Sequence, residues 1–131
     1  KYRLVGSEMC IRDRSMAVVG TDPVLMLSGP IPATRKALDQ AKLKPEDINL
    51  AEINEAFSSV VGAWRKEFPE INYENVNANG GSIAIGHPLG ATGARLMTNL
   101  IHEMKRNKLK YGLQAICEGG GTANATIVEL V

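Results

Sequence analysis

Residues 79–93 read Asn-Gly-Gly-Ser-Ile-Ala-Ile-Gly-His-Pro-Leu-Gly-Ala-Thr-Gly, a stretch in which five of the fifteen residues are glycine. Glycine lets a backbone turn tightly or approach another group closely. Proline restricts the residue before it to extended conformations, so Pro88 holds the backbone of His87. The stretch therefore presents one imidazole on a rigid loop. The competing interpretation is a glycine-rich turn with a surface histidine, and an isolated glycine cluster favours that interpretation.

The same residues exclude two kinds of nucleotide-binding loop. A phosphate-binding P-loop requires Gly-Lys-Ser/Thr before its helix, and this stretch contains no lysine. A dinucleotide-binding fingerprint requires Gly-x-Gly-x-x-Gly, and the spacing of Gly86, Gly90 and Gly93 does not match it. The role of the stretch must therefore be inferred from the loops that accompany it.

The composition indicates a globular domain rather than a nucleic-acid or membrane protein. The 131 residues suffice for one domain with a hydrophobic core, and 44% of them are apolar. A net charge of +1 gives no electrostatic reason to bind nucleic acid or a membrane surface. No apolar run has the length of a transmembrane helix, and charged residues interrupt any signal-peptide pattern. Two cysteines do not form a disulfide framework, so we expect a cytoplasmic protein, with organellar targeting left open.

Residues 1–15 differ in composition from the rest of the chain and fit neither helical nor strand periodicity. Their Ser-Glu-Met-Cys-Ile-Arg-Asp-Arg run resembles the translated adapter sequence found at the ends of assembled metagenomic reads. We therefore predict that residues 1–15 are non-native or disordered, the alternative being an ordinary loose terminus. The domain itself is predicted to comprise residues 16–131.

Apolar periodicity in residues 16–131 alternates between strand and helix. The predicted strands are 16–19, 48–53, 76–79, 113–117 and 126–131, and the predicted helices begin near residues 32, 57 and 92. This β-α-β-α-β-α-β-β order indicates an α/β fold with a mixed, mostly parallel sheet covered by helices. The short link before the last strand predicts that the final pair is antiparallel.

Three polar or glycine-rich loops lie at the carboxyl ends of predicted strands. They are Asn54-Glu-Ala-Phe57, Gly86-His-Pro88 and Cys117-Glu-Gly-Gly-Gly121. In an open α/β sheet such strand ends converge on one rim, where ligands bind. The loops offer an amide, an imidazole, a thiol and free backbone N–H groups. These groups are suited to acyl transfer or to the formation of a carbon–carbon bond.

The three motifs together resemble the C-terminal domain of the thiolases, the acetyl-CoA acyltransferases. Asn-Glu-Ala-Phe, Asn-Gly-Gly-x-Ile-Ala-x-Gly-His-Pro-x-Gly-Ala-x-Gly and Cys-x-Gly-Gly-Gly occur in this order, and the resemblance covers residues 16–131. It implies a thiolase-like fold and an enzyme of fatty acid metabolism, as in β-oxidation. The implied reaction is thiolytic cleavage of a 3-ketoacyl-CoA by CoA, or the reverse Claisen condensation. CoA is then a substrate rather than a cofactor, and the implied partners are acyl-CoA, an N-terminal thiolase half and further copies of the complete enzyme.

The resemblance also implies roles for individual residues. Cys117 matches the family's general acid/base cysteine, and His87 matches the histidine that binds a thioester oxygen. Asn54 matches a residue that holds a water, and that water is the second donor beside the histidine. The backbone N–H of Gly119 matches a donor of the second oxyanion hole. No metal ligand is implied.

Two further positions, Ala56 and Phe57, match residues near the pantetheine or acyl group in the family. Several of these assignments have structural alternatives. A lone cysteine such as Cys117 is often a small buried hydrophobe. Asn54 is placed to cap the helix that it precedes, and Phe57 is equally suited to a hydrophobic core.

The chain also departs from the family pattern. The family often continues Gly-Gly-Gly-x-Gly, whereas Thr122 is followed by Ala123, which leaves the substrate subclass open. The nucleophilic cysteine of the family lies far upstream, and the surroundings of Cys10 do not resemble that site. We therefore expect a fragment that is inactive alone. The alternative is a non-catalytic thiolase-like module that binds acyl chains or partners. A ketoacyl synthase is disfavoured, because that class has a histidine in place of Cys117.

Overall fold

The computed structural model describes residues 11–131, in which the strands and helices follow the order β-α-β-α-α-α-β-β rather than the predicted β-α-β-α-β-α-β-β. The strands are β1 (Ile11–Gly20), β2 (Leu50–Ile53), β3 (Tyr111–Cys117) and β4 (Thr122–Leu130). The helices are α1 (Pro30–Ala41), α2 (Ser58–Glu67), α3 (Gly81–Ile85) and α4 (Thr92–Asn107). Single 3₁₀ turns occupy Pro45–Asp47, Tyr73–Asn75 and Gly119–Gly121.

The four strands form one sheet in the order β1-β4-β3-β2. The α/β class and the mixed sheet are confirmed, as is the antiparallel pairing of the last two strands. The expectation of a mostly parallel sheet is wrong. Of the three strand pairings in residues 11–131, β2 with β3 is parallel, whereas β4 pairs antiparallel with both β3 and β1. The link between β3 and β4 is too short for the crossover that a parallel pair needs.

The predicted strand at residues 76–79 does not form. Val76 makes an isolated parallel bridge to Ala51, and Asn77 then turns into the left-handed region with φ 53°. The Asn77 side chain replaces the main chain at the edge of β2. Its Oδ1 accepts the N–H of Ile53 at 2.7 Å, and its Nδ2 donates to the Ile53 carbonyl at 2.9 Å. An amide side chain thus satisfies backbone groups that a fifth strand would have paired.

The first strand begins at Ile11, five residues earlier than predicted. Residues 11–15 pair with the end of β4, from Ile11 opposite Leu130 to Ser15 opposite Ile127, with a bulge after Asp13. The predicted non-native origin of residues 1–15 stays a prediction, and residues 1–10 lie outside the described part of the chain.

Helices cover both faces of the sheet. On one face, α1 packs over β1, β4 and β3, and α2 packs beside α1. The fully buried side chains of this core include Trp64, Leu113 and Ile127. On the other face, α4 packs over β2 and β3 through Leu100 and Met104. Burial of this apolar area from both sides stabilises the sheet. It also holds the adjacent carboxyl ends of β2 and β3 in place.

Candidate active site

The parallel pairing of β2 and β3 brings Asn54 and Cys117 together. The backbone N–H of Asn54 donates to the Ala115 carbonyl at 2.9 Å and so continues the ladder past the end of β2. Asn54 is 0% exposed and Cys117 is 8% exposed. The Asn54 Nδ2 donates to the Cys117 Sγ across 3.7 Å. The amide therefore contacts a sulfur that belongs, like the amide itself, to a buried residue.

The short helix α3 fixes the orientation of the Asn54 amide. Ser82 is 4% exposed, and its hydroxyl donates to Asn54 Oδ1 at 2.8 Å. A donor on the oxygen leaves the amide nitrogen facing Cys117. The alternative of Asn54 as a helix cap is wrong, because its side chain is engaged at this site. The N-cap position of α2 belongs to Phe57.

A second contact ties the loop after β2 to the glycine-rich stretch. One carboxylate oxygen of Glu55 accepts the backbone N–H of Ile83 at 2.7 Å, and the other accepts Asn77 Nδ2 at 3.0 Å. Gly81 adopts φ +59°, and a Cβ at this position would lie 2.6 Å from the Glu55 carboxyl group. The backbone conformation at Gly81 therefore favours glycine, and a Cβ there would displace the Glu55 carboxyl group from its present contacts.

His87 follows α3 rather than a strand, so the prediction that it lies directly at the carboxyl end of a strand is wrong. The residues that hold it come from α4. His87 Nδ1 lies 2.7 Å from Thr92 Oγ1, which in turn donates to the Pro88 carbonyl at 2.9 Å. The Arg95 guanidinium donates to the Gly86 carbonyl at 3.1 Å and also contacts the Ile85 carbonyl. The imidazole is thus held from one side, while the residue itself is exposed.

The turn after Cys117 supports a neighbouring loop. Gly120 and Gly121 adopt φ +69° and +82°. Both the backbone N–H and the hydroxyl of Thr21 donate to the Gly121 carbonyl at 2.8 Å. A Cβ on Gly121 would lie 2.7 Å from the Thr21 carbonyl oxygen. The loop that follows β1 therefore packs directly on this turn and adds apolar side chains to the site.

Four of the six predicted site residues line one cavity of about 500 Å³: Ala56, His87, Cys117 and Gly119. Asn54 lies beneath the wall, against the Cys117 sulfur. Phe57 does not line this cavity. Its side chain is 64% exposed, so the alternative that Phe57 belongs to the hydrophobic core of residues 11–131 is wrong.

Sequence reasoning missed the apolar wall of the cavity and two of its supporting hydroxyls. Met26, Leu27 and Leu89 line it, and Leu89 is 84% exposed. The run of apolar residues in a turn-rich segment was a signal for the first two. For Ser82 and Thr92 the sequence carries no comparable signal, because their contacts depend on how α3 and α4 lie relative to β2.

A buried carboxyl group, Glu52, precedes the site on β2. The residue is 0% exposed, and neither of its carboxylate oxygens has a hydrogen-bond partner. Burial, followed by the nearby carboxylates of Glu55 and Glu103, raises the pKa of Glu52 to about 7. Glu52 and Asn54 are two residues apart, so this carboxyl group faces the same side of the strand as the Asn54 amide.

Two further kinds of feature are absent from residues 11–131. No three His, Cys, Asp or Glu side chains there are grouped as metal ligands. No helix in that range combines the length and the apolar composition needed to cross a bilayer.

Comparison with known proteins gives a consistent result. The family model described as "Thiolase, C-terminal domain" matches residues 8–130. Among curated proteins, the chain is 51% identical to the steroid 3-ketoacyl-CoA thiolase FadA6 of Mycobacterium tuberculosis, over 96% of this chain and 33% of that protein. It is 47% identical to an acetyl-CoA acetyltransferase of Cupriavidus necator, over 88% of this chain and 29% of that protein.

Solved structures give the same picture. Human mitochondrial 3-ketoacyl-CoA thiolase superposes with a TM-score of 0.88 at 39% identity, over 92% of this chain and 30% of that one. The acetyl-CoA acetyltransferase of Bacillus anthracis gives a TM-score of 0.88 at 43% identity, with the same coverage of 92% and 30%. The chain therefore spans about a third of the length of the relatives that it matches.

Proposed function

The chain belongs to the thiolase family, in which it corresponds to the C-terminal domain, and from this premise we propose that it supplies one part of an acyl-CoA acyltransferase site. The proposed reaction is cleavage of a 3-ketoacyl-CoA by CoA, or the reverse Claisen condensation. The observation that carries the proposal is the cavity shared by His87 and Cys117, with the Asn54 amide on the sulfur. A module that only binds acyl chains has no need of a thiol with a dedicated hydrogen-bond donor.

In the proposed mechanism Cys117 moves protons. The upstream nucleophile of the complete protein would add to the 3-keto carbon, and collapse of that adduct forms the acyl-enzyme as it breaks the carbon–carbon bond. The electron pair of the broken bond leaves on acetyl-CoA as an enolate, and the Cys117 thiol protonates its α-carbon. The resulting thiolate takes a proton from the incoming CoA thiol, whose sulfur then attacks the acyl-enzyme. The Asn54 Nδ2, 3.7 Å from the sulfur, supports this cycle, because a donor stabilises the thiolate more than the thiol.

The developing negative charge on oxygen needs donors of its own. His87 and the backbone N–H of Gly119 both belong to residues of the cavity wall. We assign them to the thioester oxygens of the two substrates, where positioned donors lower the barrier. The Gly119 N–H is a donor throughout, and His87 becomes one when its ring carries a proton on the nitrogen that faces the substrate. Ala56 lies on the same wall and is assigned to substrate contact. Phe57 is outside the cavity and keeps an assignment to the pantetheine arm only.

The contacts of Asn54 support a different first role from the one that the family pattern implies. Its Oδ1 accepts from Ser82, and one amide hydrogen is directed at Cys117. We assign Asn54 first to the support of the Cys117 sulfur. Its second amide hydrogen would then hold the water that acts beside His87 as a donor to the thioester oxygen.

The experiment uses a complete protein that carries this domain, with acetoacetyl-CoA and CoA as substrates. Cys117→Ala should remove most turnover and still allow the first acyl transfer to the protein, seen as a stoichiometric burst. His102→Ala, on the exposed side of α4, is the matched control and should behave as wild type. Unchanged turnover in Cys117→Ala would contradict the acid/base role.

The chain alone should not catalyse this reaction, because no acyl-enzyme can form without the family's upstream nucleophile. The purified residues 1–131 are mixed with the same substrates, and loss of the 3-ketoacyl thioester is followed. Enzymatic turnover that disappears on Cys117→Ala would contradict this expectation and would make Cys117 the nucleophile.

A further inference from the structure

A relay of two hydrogen bonds links His87 to the start of α4. His87 Nδ1 and Thr92 Oγ1 lie 2.7 Å apart, and Thr92 Oγ1 and the Pro88 carbonyl oxygen lie 2.9 Å apart. The Pro88 carbonyl also accepts the backbone N–H groups of Ala91 and Thr92, at 2.7 and 2.9 Å, which fixes its direction. Thr92 is 2% exposed and lines the cavity beside His87.

We propose that Thr92 is a positioning residue that determines which ring nitrogen of His87 carries the proton. This inference rests on the proposed function, in which the imidazole contacts a substrate, and it specifies the state in which the imidazole does so. A hydroxyl has a single proton to donate, and a carbonyl oxygen can only accept. A threonine hydroxyl in a helix can donate to the carbonyl four residues earlier, and Thr92 does so to Pro88. The Thr92 proton therefore goes to Pro88, and Thr92 Oγ1 accepts the proton of His87 Nδ1.

The opposite arrangement is less favourable. If the Thr92 hydroxyl donated to His87 Nδ1, its oxygen would lie 2.9 Å from the Pro88 oxygen with no hydrogen between them. Two oxygen lone pairs at that distance repel. The relay from His87 through Thr92 to Pro88 instead gives each of the two contacts its own hydrogen. The geometry thus favours the Nδ1–H form of the neutral ring.

The protonation of the other ring nitrogen follows directly. In the neutral Nδ1–H form, Nε2 carries a lone pair and can only accept. Nε2 becomes an N–H donor to a thioester oxygen once the ring has taken up a proton there. Thr92 therefore prepares His87 to receive a proton at Nε2 first and to donate from the same atom afterwards.

The test reads the tautomer directly and needs no catalysis. The chain of residues 1–131 is labelled with ¹⁵N-histidine, and the ring-nitrogen shifts are measured at alkaline pH, where imidazole is neutral. His87 in wild type should show a protonated Nδ1 and an unprotonated Nε2. The exposed His102 serves as the internal reference for an unconstrained ring.

Two variants separate the hydroxyl from the shape of the side chain. Thr92→Val keeps the volume and removes the hydroxyl, so His87 should relax to the tautomer mixture of His102. Thr92→Ser keeps the hydroxyl and should retain the Nδ1–H form. A protonated Nε2 in wild type would overturn the proposal, as would an unchanged His87 in Thr92→Val. Amide spectra that match wild type verify that each variant is folded.

In a complete protein, Thr92→Val should lower kcat by at least about tenfold with a smaller effect on KM, and Thr92→Ser should restore most of it. If the tautomer result holds and Thr92→Val keeps full activity, then the assignment of His87 to the reaction is wrong while Thr92 still positions the ring. If the tautomer result fails while Cys117→Ala is inactive, the proposed function stands and only the role of Thr92 is lost.

Discussion

Glu52 should make the folded domain less stable as the pH rises, and Glu52→Gln should remove that dependence. The side chain is 0% exposed on β2, and neither carboxylate oxygen has a hydrogen-bond partner. Burial, together with the carboxylates of Glu55 and Glu103, raises its pKa from 4.5 to about 7. An amide of the same size has no charge to bury, so the substitution removes the titration and keeps the volume.

The magnitude follows from the two pKa values. In the unfolded chain the Glu52 carboxyl releases its proton near its ordinary pKa of 4.5, whereas the folded domain holds that proton until about pH 7. Between these values the unfolded state binds fewer protons, so the free energy of unfolding falls as the pH rises. A difference of one in pKa corresponds to about 1.4 kcal/mol, so the whole interval corresponds to about 3 kcal/mol.

The assay is urea unfolding of wild type, Glu52→Gln and Glu70→Gln at about pH 5 and about pH 8. Glu70 is exposed and provides the matched loss of one carboxylate. From about pH 5 to about pH 8, the free energy of unfolding of wild type and of Glu70→Gln should each fall by about 3 kcal/mol more than that of Glu52→Gln. An equal change in all three chains would refute the reasoning, because it would mean that Glu52 does not hold its proton on folding.

Two predictions concern the contacts that assemble the site. Gly81→Ala should lower the free energy of unfolding by about 2 kcal/mol, because the new Cβ would lie 2.6 Å from the Glu55 carboxyl at φ +59°. Gly62→Ala is the control, because a Cβ at that position meets nothing within 4 Å, and it should instead stabilise α2 by about 1 kcal/mol. Both variants are measured by urea unfolding, and a similar loss of stability in the two would contradict the packing argument. Ser82→Ala leaves the Oδ1 of the buried Asn54 without its donor. By the same assay it should lower the free energy of unfolding by about 1–3 kcal/mol. A variant as stable as wild type would show that another group satisfies the amide.

Much of the site could be predicted from local sequence because it depends on strand ends. Asn54 and Cys117 each terminate a buried strand, and the parallel pairing of β2 with β3 is enough to bring them together. His87 was expected at the same site because its loop was thought to follow a strand and because the three motifs together resemble the thiolases. Its path there, through α3, was not predicted, because Gly80 and Gly81 at the start of a five-residue helix obscure its helical pattern.

Tertiary contacts account for the parts that the sequence did not predict. The strand expected at 76–79 is displaced by the Asn77 side chain, which pairs with Ile53 from a position 24 residues away in sequence. The burial of Glu52 was not predicted either, because it depends on α4 covering that face of the sheet. In both cases the outcome depends on how a distant segment packs, which local periodicity does not encode.

The most direct measurement of the central claim, that Cys117 moves protons to and from the acetyl carbon, is hydrogen exchange at that carbon. A complete protein that carries this domain is incubated with methyl-deuterated acetyl-CoA, and loss of deuterium to water is followed by mass spectrometry. Cys117→Ala should slow the exchange by at least about 10²-fold while acylation of the protein continues, and His102→Ala should exchange at the wild-type rate. Exchange at the wild-type rate in Cys117→Ala would contradict the account, because another group would then be the base.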